Sequence, residues 1–301
     1  MRLLDKRLLV VTGKGGVGKS AVAAALALHC ARSGKRTLVC EINAGDRLSK
    51  LLGKPVGPEL REVEDNLWAV NVRPEESLRE YALMVLKFKS VYRAVFENRL
   101  VRSFLRFIPS MQELVMLGKV LFHVKETQAG GAPRYEMVVM DAPATGHAIS
   151  FLQVPQVLLD TVAAGPLWTE AKWMRDLLVE PRTTAAVLVS LPEEMPVNET
   201  LELEDALRKK VKVATALVVL NGYTPPRFDE RELQSLGGTA LHALAKSHFD
   251  RAQLSLDSRS RLERAVAAPV ATVPRQYEQA QGRPLVERVE DALARAREGA
   301  P

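Results

Sequence analysis

Eight consecutive residues, Gly13-Lys14-Gly15-Gly16-Val17-Gly18-Lys19-Ser20, put four glycines, two lysines and a hydroxyl where an anion could be wrapped. Glycine lets several backbone N–H groups turn toward one anion, and the N-terminus of a following helix adds partial positive charge. Gly13, Gly18, Lys19 and Ser20 stand at the G-x-x-x-x-G-K-[ST] spacing of a phosphate-binding loop. In such a loop the lysine reaches the β- and γ-phosphates and the hydroxyl ligates Mg2+, so the implied chemistry is nucleotide binding and phosphoryl transfer. A glycine turn with an exposed lysine is the plainer alternative. The flanks argue against it, because Leu8 to Val11 reads as a buried strand and Ala21 to Ala31 as an alanine-rich helix.

A second group supports the first. The apolar run Tyr135 to Met140 ends at Asp141, and a carboxylate at the end of a buried strand is the usual second residue of a Mg2+ site beside a phosphate loop. The residues that follow, Ala142-Pro-Ala-Thr-Gly146-His147, are predicted to form a loop where a γ-phosphate would sit, and to move on hydrolysis. His147 itself reads as a surface loop histidine without chemistry.

These groups need a scaffold. Near-continuous apolar runs at Lys35–Cys40, Leu67–Val72, Thr184–Ser190, Thr215–Leu220 and Val270–Val273 read as further strands. Helical patterns separate them: Arg47–Leu52 closed by Gly53, Asn198–Lys210, Phe228–Ala267 and Leu285–Arg297. Strands alternating with helices predict a single α/β domain over residues 1–301, a doubly wound, mostly parallel sheet covered on both faces. Ligands of such sheets bind beyond the carboxyl ends of the strands, and Lys14, Lys19, Ser20, Asn43, Asp141 and Asn221 all fall there.

At 301 residues, 47% hydrophobic, 26% charged and net +6, the chain has the composition of an ordinary soluble protein. No apolar run approaches the roughly 18 residues of a membrane span. The N-terminus leads straight into the first strand, with no room for a cleavable signal. The two cysteines, Cys30 and Cys40, are expected to be buried thiols, and a cytoplasmic location follows from these features.

Between about 75 and 130 no strand pattern appears. Tyr81 to Lys125 carries eight cationic side chains against Glu97 and Glu113, as much net positive charge as the whole chain, on a stretch rich in large apolar residues. It reads as a helical insertion. Its apolar stripes are either core or a surface for a hydrophobic or acidic partner, where Met84, Met111 and Met116 would suit an adaptable groove.

Together the motifs resemble a known family. Lys14-Gly-Gly-Val-Gly-Lys-Ser20, with its extra lysine, is similar to the deviant phosphate loop (deviant Walker A) of the MinD/ParA/ArsA class of P-loop ATPases. Residues 141–155 (DAPATGHAISFLQVP) and 183–200 (TTAAVLVSLPEEMPVNET) resemble the ArsA branch, the anion-transporting and tail-anchored-protein-targeting ATPases. Asn221 falls where that branch reads adenine, and Val273-Pro274 resembles its later adenine-side loop.

The resemblance implies ATP or ADP with Mg2+ as ligands and a homodimer as the working unit. Gly13 to Ser20 and Ala21 would hold nucleotide, with Ser20 and Asp141 serving Mg2+, Gly146 offering backbone to the γ-phosphate, and Asn221 and Pro274 bordering adenine. Lys14 would cross to the partner's nucleotide, and Lys19 would hold the β- and γ-phosphates. A protein client would bind the insertion, about 81–125. The sequence departs from the branch at one place: Asn43 stands where an aspartate usually orients the attacking water, with Glu41 and Asp46 as alternative carboxylates. Two cysteines outside the insertion argue against metalloid extrusion, and no CxxC zinc clamp is present. Two other functions are weighed: a ParA/MinD-like positioning ATPase on DNA or membrane, and a non-hydrolysing nucleotide-gated scaffold. The mixed charge of the last helix, Glu287, Arg288, Glu290, Asp291 and Arg295 against Leu285, Val286, Val289 and Leu293, argues against lipid binding.

Overall fold

Every second residue of a strand faces the same side, so a strand apolar throughout must be covered twice. The computed structural model, which describes residues 3–86, 111–276 and 280–298, shows this arrangement. Its strands are β1 (Leu8–Gly13), β2 (Thr37–Ile42), β3 (Arg61–Glu64), β4 (Leu67–Val72), β5 (Met137–Asp141), β6 (Thr184–Ser190), β7 (Thr215–Tyr223) and β8 (Val270–Pro274). They form one sheet in the order β3-β4-β2-β5-β1-β6-β7-β8. All neighbours run parallel except β3, which pairs antiparallel with β4 at the edge.

The helices are α1 (Lys19–Arg32), α2 (Arg47–Leu52), α3 (Pro74–Leu86), α4 (Met111–Lys125), α5 (Thr145–Thr161), α6 (Pro166–Val179), α7 (Glu194–Ala206), α8 (Glu230–Ser235), α9 (His242–Ala265) and α10 (Arg283–Glu298). Leu9, Val11, Val39, Val139 and Val187 face α1, α2 and α10, while Leu8, Val10, Cys40, Met140 and Leu188 face α4 to α7. The predicted doubly wound sheet is present. Cys30 and Cys40 are both buried but sit in the cores on opposite faces, so they cannot share a ligand. Burial pushes the Cys40 thiol up to about 12.

Helix α1 is buried nearly all round, which explains its alanines. Ala23, Ala24, Ala25 and Ala27 are fully buried and let it lie close to the sheet with α10 against it. Val286, Val289 and Leu293 of α10 complete that core, and His29 and Arg32 of α1 bind Glu290 at 2.8 and 2.9 Å. The apolar stripe of the last helix is therefore used inside the protein, as its mixed charge predicts. Among the described residues no helix is long and apolar enough to cross a membrane.

The region read as an insertion divides. Leu114, Leu117, Val120, Leu121 and Val124 of α4 are buried in the core with Leu38, Val70 and Val138, so α4 is the sheet-covering helix that leads into β5. Met116 is buried there too, so of the two readings of this stripe the core holds for it and the adaptable groove does not. Lys87, Lys89, Arg93, Arg99, Arg102 and Arg106, most of the predicted basic patch, lie outside the described residues. Strand β3 and helices α5 and α6 are additions to the sequence reading. The first turn of α5 takes in Thr145, Gly146 and His147, so the loop after β5 is only Ala142 to Ala144.

Candidate active site

The strand order decides which loops meet. Because β5 lies between β2 and β1, Asp141 is the register neighbour of Glu41 on one side and Val11 on the other. The phosphate loop leaves β1 at this same edge. Gly13 has φ 153°, and a Cβ there would lie 2.2 Å from the Val189 carbonyl oxygen, so only glycine lets the chain pass β6. Gly18, at φ 92°, starts α1, and a Cβ would lie 2.5 Å from Asn221 Nδ2. No side chain caps α1 or α5, which leaves the first N–H groups of both helices free of side-chain acceptors at this edge. Two uncapped helix N-termini beside a glycine loop suit a polyanion.

The two lysines of the loop go different ways. Lys19 is buried and its Nζ donates to the Lys14 carbonyl at 2.9 Å. Burial lowers its pKa, opposed by Asp141 and reinforced by Arg47. Lys14 lies at the surface, its Nζ 2.5 Å from Glu199 Oε1 on α7. Glu199 was not singled out in the sequence. No local pattern marks a contact between residues so far apart.

Asp141 is buried, with Ser20, Lys19 and Arg47 near enough to act on its charge. Burial raises its pKa, while Ser20, Lys19 and Arg47 pull it back down. A carboxyl group whose folded pKa is raised stabilises the protein below its ordinary value of 3.8, and that contribution is lost as pH rises through the folded value. Ionised Asp141 is thus a liability to the nucleotide-free protein at neutral pH. Asp141→Asn, which keeps the shape of the side chain and removes its charge, is expected to raise the nucleotide-free melting temperature at pH 7 by about 2–4 °C. The gain should disappear near pH 3, where Asp141 is itself neutral; equal melting at pH 7 would count against this.

The other sequence candidates gather at the same edge. Asn43 follows β2, exposed and in the left-handed conformation at φ 44°, with its N–H bonded to the Val72 carbonyl at 2.9 Å. Asp46, exposed at φ 52°, precedes α2. Glu41 is wholly buried: Oε1 accepts from the backbone N–H groups of Arg47 and Leu48 at 3.1 and 3.3 Å, and Oε2 from Asn71 Nδ2 at 3.2 Å. Both its oxygens are occupied, which takes it off the list of carboxylates for the attacking water. Asn221 Nδ2 donates to the Val17 carbonyl at 2.8 Å and its Oδ1 accepts from Gly222, so this residue braces the phosphate loop. Pro274 ends β8, exposed and beside Tyr223 in register. Gly146 and His147 are exposed in the first turn of α5, and Thr12 Oγ1 ties the end of β1 to the Pro143 carbonyl at 3.0 Å.

A parallel sheet with a phosphate loop after β1 and a buried carboxylate at the end of the adjoining strand defines a P-loop nucleoside-triphosphatase fold. Residues 6–164 match the anion-transporting ATPase family, and the chain belongs to that family. It is 31% identical over 238 residues to ATPase BagA of Mycobacterium tuberculosis, covering 77% of this chain and 69% of that protein. Similarity extends to ATPase GET3 of Mycosarcoma maydis, at 25% over 265 residues, 75% of this chain and 76% of that one. ATPase GET3 of Kluyveromyces lactis is 29% identical over 160 residues, half of this chain and 46% of its own length. The family is one of ATPases, and membership supports nucleotide binding and ATPase activity here.

Proposed function

We propose that the chain is an ATP-hydrolysing homodimer, a switch whose nucleotide state governs a protein client held by the helices around 75–130. The carrying observation is the divergence of the two loop lysines. Lys19 is buried at its own site beside Asp141, whereas the partly exposed Lys14 turns away from it to pair with Glu199 of α7, where a second copy could receive it. Lys19 and the loop N–H groups hold the phosphates, Gly146 offers backbone at the head of α5, and Asn221 and Pro274 border the base.

Ser20 and Asp141 fit Mg2+: both are hard oxygen donors, and they lie close enough for Ser20 to stabilise the Asp141 carboxylate. Bound there, Mg2+ would neutralise phosphate charge. Asn43, or Asp46 one turn of loop further on, orients the water; an amide can hold it but cannot take its proton. The surfaces for a membrane-anchored alternative are poorer, since α10 is consumed in the core. A metalloid cargo would lack paired thiolates, since the cysteines sit on opposite faces of the sheet.

The test joins mass and turnover. Sedimentation of purified protein should give a dimer with a non-hydrolysable ATP analogue and a smaller species with ADP. Phosphate release per subunit should rise with protein concentration, and Asn43→Asp should speed it by about 100-fold, the bottom of the range for a positioned base. Monomers in both states, with turnover independent of concentration, would sink the switch. Leu100 and Leu105, whose change to aspartate would probe the client site, lie outside the described residues.

A further inference from the structure

We propose that Glu41 and Asn71 are positioning residues that set the Asn43–Asp46 segment over the reaction site; this rests on the hydrolytic reading above. Asn71, Glu41 and Asp141 are neighbours in register across β4, β2 and β5, one row below the end of the sheet. From that row the side chains of Asn71 and Glu41 reach the segment that follows β2. Asn71 Nδ2 donates to the Ala44 carbonyl at 2.7 Å, and Glu41 takes the first backbone N–H groups of α2, those of Arg47 and Leu48.

The segment needs such a hold. Asn43 and Asp46 both adopt left-handed backbone, which a non-glycine residue keeps only where its surroundings impose it. Asp46 supplies no side-chain cap to α2, so Glu41 does that work from a distance. The four-residue segment between β2 and α2 is therefore pinned at Ala44, its second residue, and at Arg47 and Leu48, the first two residues of α2, by side chains that belong to the sheet.

The pair is a poor choice for stability alone. Glu41 is a fully buried carboxylate with no cation hydrogen-bonded to it, and Asn71 Oδ1 is buried without a partner. Apolar residues of similar volume usually serve a core better than an incompletely paired polar group. Position is what the pair supplies: it fixes the backbone that carries Asn43, and the same row ends in Asp141. A water-orienting amide must be held closely to be effective, because small displacements cost much of the rate.

The experiment is a double-mutant cycle on the full chain. Asn71→Ala and Asn43→Ala are made singly and together, with Glu41→Gln as the conservative variant that keeps an acceptor for Arg47 and Leu48. Expected is a roughly tenfold loss of phosphate release in Asn71→Ala, with ATP affinity within about twofold and melting temperature unchanged or higher. In the Asn43→Ala background the same substitution should cost nothing more, because its effect passes through Asn43. Amide hydrogen exchange at 43–48 should speed up in Asn71→Ala and Glu41→Ala, and stay slow in Glu41→Gln. Additive losses, or loss of ATP affinity in step with turnover, would overturn the proposal. If the parent protein releases no phosphate, the hydrolytic reading fails, and the exchange arm alone decides: unchanged exchange at 43–48 defeats the positioning role.

Discussion

Lys19→Ala should lower steady-state phosphate release by about 100- to 1,000-fold, the loss seen when one preorganised group leaves a developing negative charge. That is roughly 3–4 kcal/mol of transition-state stabilisation. The structure says why a lysine can supply so much. Lys19 is buried, its charge is already stripped of water, and its pKa is lowered mainly by that burial. An ammonium in this state interacts with phosphate far more strongly than one in solvent. Its ground-state partner is a neutral carbonyl, that of Lys14, so little is given up when phosphate arrives. Lys19→Arg should not restore activity, because a planar fork does not fit a space shaped for a compact charge. Melting temperatures of the variants should stay within a few degrees of the parent, which separates lost chemistry from lost folding. Turnover above one-tenth of the parent in Lys19→Ala would show that the phosphates are held elsewhere.

How much of this was readable in advance follows from the range of the interactions. The strands were legible because burial on two faces demands unbroken apolar runs, as in Thr184–Ser190, whose predicted bounds match β6. The short helix Arg47–Leu52 was legible from its cap, since Gly53 stops it in the left-handed conformation. Strand β3 was not: Arg61-Glu-Val-Glu64 is an exposed edge with one buried residue, Val63, and carries no apolar signal. The α5 start was hidden because Pro143 and Gly146 read as loop chemistry, although glycine is tolerated in a first turn and Pro143 lies before it. Apolar α4 was ambiguous by nature, since a stripe for the core and a stripe for a partner look alike until the sheet is placed. At the site, residues on the phosphate loop and at strand ends were found by motif. Glu199, Asn71 and the loop-bracing role of Asn221 were not, because each acts through a contact that only the fold creates.

On the proposed homodimer, Lys14→Ala should lower phosphate release by about a thousand-fold at protein concentrations that favour association, with ATP binding nearly intact, as expected for a cation supplied to a neighbouring active site. The structure adds a second, opposite expectation. Lys14 is tied to Glu199 on its own subunit at 2.5 Å, and to leave for a partner's nucleotide it must first give up that pair. The side chains are 26% and 32% exposed, so the pair is screened by solvent and contributes about 0.2–1 kcal/mol. Glu199→Gln should therefore strengthen nucleotide-dependent association by up to about fivefold, the equivalent of that energy. Lys14→Ala and Glu199→Gln thus move turnover in opposite directions although they break the same contact. A stabilising salt bridge without a functional role predicts something else: both substitutions would lower melting temperature slightly and leave turnover alone. Sedimentation with an ATP analogue, beside phosphate release at matched subunit concentration, distinguishes the two. In the proposed homodimer a tether of this strength biases Lys14 toward its own subunit by no more than about fivefold, a preference that bound nucleotide readily overcomes.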